Sequence, residues 1–270
     1  MDICVFFEHI KQVAADMGGS VSDAVSAVLA AGITSIDIDM NEAKLDPGAF
    51  RLTVEACGMN VASCYGFVTL KTADDIPAAE NFIDIARAAG AHNAMILPGQ
   101  ADDMESRGEL LHAVAPLLSR LASYASDRGL TLSLENFSNI LAPYSLISDF
   151  EYLLDACPEL GFTLDTGNFA FNGESPLTAY ERLGSRITHV HLKNWDIPER
   201  RIGEAPMYIA ASGEPLYPYP IKNGGLIDIA SILTSLKRDG YKRSLSIENF
   251  GVSPMLKGLS ESAAYIRSLI

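Results

Sequence analysis

Short apolar and β-branched runs alternate with longer stretches of helical periodicity along all 270 residues of the chain. The runs Ile3–Phe7, Ser35–Ile38, Asn60–Tyr65, Ala94–Leu97, Thr131–Glu135, Gly161–Asp165, Ile187–Leu192 and Ser244–Glu248 read as eight strands. Between them, Val21–Ala31, Ala78–Ala89, Glu109–Arg128, Ser148–Ala156, Leu177–Leu183, Ile227–Arg238 and Ser260–Leu269 carry the spacing of amphipathic helices. Glycines at the ends of helical stretches, such as Gly90 and Gly129, mark stops just ahead of the next strand. Eight strand–helix units in 270 residues are about 34 residues each, the size of a βα unit. That rhythm implies a parallel sheet, and eight repeats imply a closed (β/α)8 TIM barrel of the α/β class. An open doubly wound sheet would place a glycine-rich turn after an early strand, whereas the first strand here runs into FFEHIKQ. No linker or charge block divides the chain, so residues 1–270 are expected to form one domain. An irregular stretch around 196–225, rich in Pro, Tyr and Gly, is expected to be an active-site loop.

The last four strands share a finer pattern. In LTLSLEN, Leu130, Leu132 and Leu134 alternate with Thr131, Ser133 and Glu135. The same parity sets Phe162 and Leu164 against Thr163 and Asp165, Val190 and Leu192 against His189, His191 and Lys193, and Leu245 and Ile247 against Ser244, Ser246 and Glu248. Side chains two apart share a face of a strand, so the apolar set can meet the helices while the other set meets the barrel axis. Each strand thus delivers one strong ligand near its C-terminal end: Glu135, Asp165, His191 and Glu248. Active sites of such barrels lie at that end, and neighbouring strands are about 4.8 Å apart. Three carboxylates converging there would repel one another unless a cation joined them. Three oxygens and one imidazole suit Mn²⁺, with Mg²⁺, Co²⁺ and Zn²⁺ as further candidates.

Other residues are weighed against structural roles. Lys193, one step beyond His191, is a candidate for holding a substrate oxygen; a rim lysine paired with an acid is the alternative. Glu8, at the end of the first strand, is a candidate for entering the pocket, and His9 for starting a helix. Asp37 and Asp39 alternate with Ile36 and Ile38, so one of them is a candidate for sitting inside at the second strand end; acids that simply cap the next helix are the alternative. Phe6, Tyr65, Phe67 and Trp195 are candidate apolar walls for a sugar ring. His189 lies one layer deeper than His191 and reads as a hydrogen-bonded interior histidine. Arg200 and Arg201 read as solvated, and Asn223-Gly224-Gly225 as a flexible approach to a helix rather than a phosphate site.

Charge and composition narrow the function classes. Lys plus Arg number 20 and Asp plus Glu 34, a formal charge of −14, so nucleic acid and an anionic membrane are poor partners. No apolar run is long enough to span a bilayer, and the N-terminal MDICVFFEHIKQ lacks the features of a signal peptide. Four cysteines without CxxC spacing (Cys4, Cys57, Cys64, Cys157) read as buried thiols of a reducing, cytoplasmic compartment.

The motifs LENF at Leu134–Phe137, LDTGN at Leu164–Asn168, HVHLKN at His189–Asn194 and SIENF at Ser246–Phe250 carry a resemblance. The chain resembles the xylose-isomerase-like TIM barrels, the sugar phosphate isomerase/epimerase superfamily, closely in its second half and by βα rhythm in its first. The resemblance implies a metal site of Glu135, Asp165, His191 and Glu248. It implies that Glu135 and Glu248 also act as acid and base on opposite faces of a bound sugar, in a metal-dependent isomerase or epimerase. A histidine three residues after the Asp is common in that family; here Asn168 takes the place, as a substrate-binding residue that cannot carry a proton. Hydroxypyruvate isomerases, inosose dehydratases and dehydroshikimate dehydratases resemble the same architecture, so a metal-dependent lyase is the alternative. A barrel that only binds sugar would not need the intact quartet. A DNA-repair nuclease of the superfamily would need more than five histidines and a basic face. The expected partner is a small carbohydrate, with a homo-oligomer in keeping with how such barrels pair.

Overall fold

A computed structural model describes residues 1–270. The period-two alternation builds a closed parallel barrel of eight strands. These are β1 (Ile3–Phe6), β2 (Ser35–Asp39), β3 (Asn60–Phe67), β4 (Asn93–Leu97), β5 (Thr131–Glu135), β6 (Gly161–Asp165), β7 (Ile187–Leu192) and β8 (Leu245–Ile247). The sheet closes where Ile3 pairs with Leu245 and Val5 with Ile247. The fold is thus the (β/α)8 barrel that the rhythm implied.

The apolar parity of each strand is buried against the helices: Leu132 and Leu134, Phe162 and Leu164, Val190 and Leu192, Leu245 and Ile247 all join one continuous core. The other parity fills the barrel interior with a polar layer. Asn93 Nδ2 donates to Ser63 Oγ (3.0 Å) and Ser133 Oγ (2.9 Å), and Ser133 and Thr163 hydroxyls bond at 2.8 Å. The hydroxyls and the Asn93 amide nitrogen pair with one another away from water, while Asn93 Oδ1 is left without a partner.

The helices follow their local signals. Ile229–Arg238 begins at Asp228, whose carboxylate accepts from the Ser231 amide (3.1 Å), and buries Ile229, Ile232, Leu233 and Leu236 along one stripe. Val21–Ala30 is held by a reciprocal cap between Ser20 and Asp23. Gly90 (φ 84°) and Gly129 (φ 74°) take the left-handed conformation ahead of β4 and β5. Three helices lie outside the stretches named from sequence, one of them the single turn Met40–Ala43. Phe7–Met17 starts directly at the end of β1, with no side-chain cap on Phe6. Pro47–Ala56 is capped by Asp46. β1 accordingly ends at Phe6, one residue before the sequence-based boundary.

The irregular segment is partly ordered by short antiparallel ribbons, Asn194–Trp195 with Pro218–Tyr219 and Tyr208–Ile209 with Pro215–Leu216. All four cysteines are free; three are buried as expected, but Cys57, at the end of the Pro47–Ala56 helix, is exposed. No helix is long and apolar enough to cross a membrane.

Candidate metal centre

β5 to β8 bring their terminal polar residues together. One ligand atom from each of Glu135, Asp165, His191 and Glu248 lies within 4.8 Å of the others, and all four residues are buried. Register explains the convergence: Asp165 lies opposite His191, which lies opposite Ser246, two residues before Glu248. His191 Nδ1 is hydrogen-bonded to Glu135 Oε1 and lies 3.7 Å from Glu248 Oε2.

Asparagines that follow the key residues stitch the strand ends. Asn136, after Glu135, donates to the Asp165 carbonyl (2.9 Å) and accepts from the Asp165 amide (2.8 Å). Asn194, after Lys193, accepts from the Trp195 and Ile227 amides at 2.8 and 2.9 Å. The amide of Asn249, after Glu248, donates to His9 Nε2 (2.9 Å). Burial and the nearby Lys193 charge hold His9 down at about 3, so its ring is a neutral acceptor. Sequence reasoning missed these asparagines, although the repeated pairs Glu-Asn, Lys-Asn and Glu-Asn were a visible signal.

Lys193 enters the cluster. Its Nζ lies 2.8 Å from Asp165 Oδ2, 2.5 Å from Glu248 Oε1 and 2.9 Å from Asn168 Oδ1. Gly167 makes the approach feasible, because a Cβ there would stand 2.6 Å from Lys193 Cγ. Asp165 Oδ1 accepts from the Gly167 and Asn168 amides at 2.7 and 2.9 Å, and Asn168 Nδ2 donates to the Asn136 carbonyl (3.0 Å). Asn168 is therefore a scaffold for Lys193 and the β5 end as well as a wall of the site.

Beneath this layer, Asp37 is the buried member of the SIDID pair, whereas Asp39 caps the short helix Met40–Ala43. Asp37 Oδ2 lies 2.8 Å from His189 Nε2 and 3.2 Å from His191 Nε2, and Cys4 Sγ donates to Oδ1 (3.2 Å). His189 is thus the hydrogen-bonded interior histidine expected. The Asp37–His191 contact lacks hydrogen-bond alignment, which leaves His191 Nε2 without a partner.

The electrostatics describe an anionic hole. Burial opposes the charge on His191, but the carboxylates of Glu135 and Asp37 override it and push the imidazole well above its usual range. Burial pushes the Glu248 carboxyl up, and the Asp165 and Glu135 charges add to it against the pull of Lys193. Burial opposes the charge on Asp165, but the Lys193 ammonium, together with the Glu248 and His191 side chains, holds its carboxyl below the usual range. The donor set fits a divalent cation: three carboxylates and an imidazole nitrogen converge, and Asp37 stands behind the ring where a carboxylate orients a ligating histidine.

The remaining candidates sort as follows. Trp195 is buried, with Nε1 donating to the Gly167 carbonyl (3.0 Å). It joins Asn168, Lys193 and Glu248 in lining a cavity of about 140 Å³. Glu8 does not line that cavity. It sits in the first turn of the Phe7–Met17 helix, where burial raises its carboxyl. Glu8 is not at the end of the first strand, because the chain is already helical at Phe7. Arg200 and Arg201 are engaged by Asp196 at 3.4 and 2.8 Å.

Comparisons with known proteins bear on the fold and the family. A curated relative, inosose dehydratase of Bacillus cereus (strain AH820), is 29% identical over 140 residues, 48% of this chain. That match spans 44% of the relative's own length, under half of it. Among solved structures, the IolI protein with a bound zinc atom aligns over 100% of this chain and 99% of its own at TM-score 0.73 and 13% identity. D-allulose 3-epimerase from Methylomonas sp. aligns over 100% and 98% at TM-score 0.70 and 16% identity. At such identities the likeness is one of fold. The family model of the xylose isomerase-like TIM barrel matches residues 28–269, and the chain belongs to that family.

Proposed function

We propose that the protein is a metal-dependent isomerase or epimerase of small carbohydrates, working by proton abstraction next to a carbonyl. The carrying observation is the convergence of Glu135, Asp165, His191 and Glu248 within 4.8 Å at the C-terminal mouth of the barrel. Mn²⁺, Mg²⁺, Co²⁺ or Zn²⁺ suits this donor set. When bound by these four residues, the cation would supply the charge that polarises the substrate carbonyl and lowers the energy of the enediolate.

The chain's own residues do the rest. Glu135 and Glu248 reach the mouth from β5 and β8, with β6 and β7 between them, and so flank a ligand seated there. One carboxylate takes the α-proton, and the C–H electron pair becomes the C=C bond of the enediolate. The other returns a proton, to the opposite face for epimerisation or to the neighbouring carbon for aldose–ketose isomerisation. A raised carboxyl such as that of Glu248 is a better base than an ordinary exposed one. Lys193, 2.5 Å from Glu248, holds a substrate oxygen, and Trp195 walls the ring.

One observation favours a second reading, a dehydratase acting on a cyclic polyol or keto acid. The Lys193 ammonium is a proton donor beside both Asp165 and Glu248. Loss of a β-hydroxyl from the same enediolate needs such an acid, and the matched curated relative is named an inosose dehydratase. Both readings require solvent exchange of an α-proton. Incubation in heavy water with ketoses and cyclic ketones is expected to place deuterium at one carbon. Exchange should cease with a chelator and return with Mn²⁺; undiminished exchange in the chelated protein would contradict the metal-dependent scheme.

A further inference from the structure

The far mouth of the barrel, where the strands begin, holds a second cavity of about 580 Å³. Strand starts build its wall: Asp2 just before β1, Ser35 of β2, Asn93 of β4, Thr131 of β5, and Thr188 and His189 of β7. None of Glu135, Asp165, His191, Glu248 or Lys193 lines it, so it is separate from the metal centre. Its volume falls within the roughly 300–1,000 Å³ of small-ligand pockets. Only 2 of its 14 lining residues are hydrophobic, so it is built for a polar ligand.

The inner wall carries buried groups that the chain itself does not pair. Asn93 and His189 are each 2% exposed. The Asn93 amide nitrogen donates to Ser63 and Ser133, but its Oδ1 has no partner. The Thr188 hydroxyl is also buried without a partner. His189 is bonded through Nε2 to Asp37 (2.8 Å), and its Nδ1 makes no hydrogen bond. Unpaired buried polar groups are costly, and native folds keep few of them. Three on one cavity wall mark a place for a ligand's hydrogen bonds. A hydroxyl both donates and accepts, so ligand hydroxyls suit all three.

The rim carries cations with no acid to meet them. Arg243 Nη1 reaches the Thr131 hydroxyl and the Thr188 carbonyl, both at a long 3.3 Å, and pairs with no carboxylate. Lys242, exposed beside it, has no ion-pair partner. The one acid of the lining, Asp2, is turned to the hydroxyls of Ser35 (2.7 Å) and Ser244 (2.9 Å). Two cations against one carboxylate leave this rim positive in a chain whose formal charge is −14. A guanidinium beside an ammonium recognises a carboxylate or a phosphate.

From these two observations we propose that the far mouth is a second ligand site, for a small polyhydroxylated oxyanion. Its hydroxyls lie against Asn93, Thr188 and His189, and its carboxylate or phosphate lies at Lys242 and Arg243. The site stands independently of the proton-abstraction reading, because it shares no residue with the metal centre.

The test is isothermal titration calorimetry in a buffer free of phosphate and carboxylates. The probes are D-gluconate and D-glucitol 6-phosphate, with D-glucitol and inorganic phosphate as their separate halves. One molecule of gluconate or glucitol 6-phosphate per chain is expected to bind at least about tenfold more tightly than either half, and the tighter of the two identifies the anion as carboxylate or phosphate. The double variant Lys242→Gln, Arg243→Gln changes exposed residues only and is expected to melt like the wild type. It should weaken that binding at least about tenfold, as loss of charge-assisted hydrogen bonds does. No binding of either polyol anion at millimolar concentration overturns the proposal. Inorganic phosphate binding as tightly as the polyol anions overturns the role of the inner wall, and glucitol doing so overturns that of the rim; either result removes the site as proposed. Unchanged affinity in the double variant places the ligand elsewhere and also overturns it.

Discussion

The two halves of the barrel share one backbone rhythm and divide the labour. β5 to β8 end in Glu135, Asp165, His191 with Lys193, and Glu248, all turned into one cluster. β1 to β4 end in Phe6, Asp39, Phe67 and Leu97, none of which belongs to it. Phe6 packs its ring 4.8 Å from the His191 ring and 5.4 Å from Tyr65, so the first half walls the centre with aromatics. Of its polar contributions, Asp37 lies a layer deeper and touches His191 from behind, and His9 accepts from the Asn249 amide. The contrast teaches that a barrel can place its chemistry on four adjacent strands and leave the others to packing and support. Substitutions in the second half should then remove chemistry and spare the fold, and those in the first half should do the reverse.

The largest expected effect tests the second half. Glu248→Gln keeps the shape of the side chain and removes its basicity and charge. Solvent exchange should fall about 10³-fold, within the range for loss of a general base, while thermal melting stays near that of the wild type. Activity close to wild type would take Glu248 out of the mechanism. The complementary substitution is Phe82→Ala, in the helix Ile76–Ala88 that packs on the first half. Phe82 is fully buried, and its truncation should cost about 3–5 kcal/mol in denaturant unfolding, with exchange per folded molecule unchanged. A loss of exchange beyond the unfolded fraction would show that the halves are not separable. Asp37→Asn crosses the boundary and should have the smallest effect. The ring of His191 loses its supporting carboxylate, and metal affinity measured by competition with a chelator should fall about 10–100-fold. Unchanged affinity would make Asp37 a packing residue only.

How much of this was legible in the sequence follows the same division. Glu135, Asp165, His191 and Glu248 could be found because strand parity and the strand-end position point to the same residues. Asp37 and Asp39 could not be separated by parity, because both share a face. What separates them is the point where the chain leaves β2: Asp39 turns to accept from the Asn41 amide (2.7 Å), and Asp37 stays inside. Glu8 reads as a strand-end residue for a related reason, since no cap or turn residue announces the helix that begins at Phe7. Asn136 and Asn249 fall on the apolar parity just past their glutamates, where alternation says nothing and only tertiary pairing gives them a role. The ribbons within 196–225 rest on pairings of two residues each, too short to leave a periodic trace.

The central claim is that four strand ends of one half hold a single divalent ion. Anomalous diffraction from crystals soaked in Mn²⁺ tests it most directly. The account expects one strong peak per chain, roughly 2.0–2.3 Å from the nearest donor atoms of Glu135, Asp165, His191 and Glu248. A peak held by other residues, or none at this cluster with Lys193 still bridging Asp165 and Glu248, would contradict it.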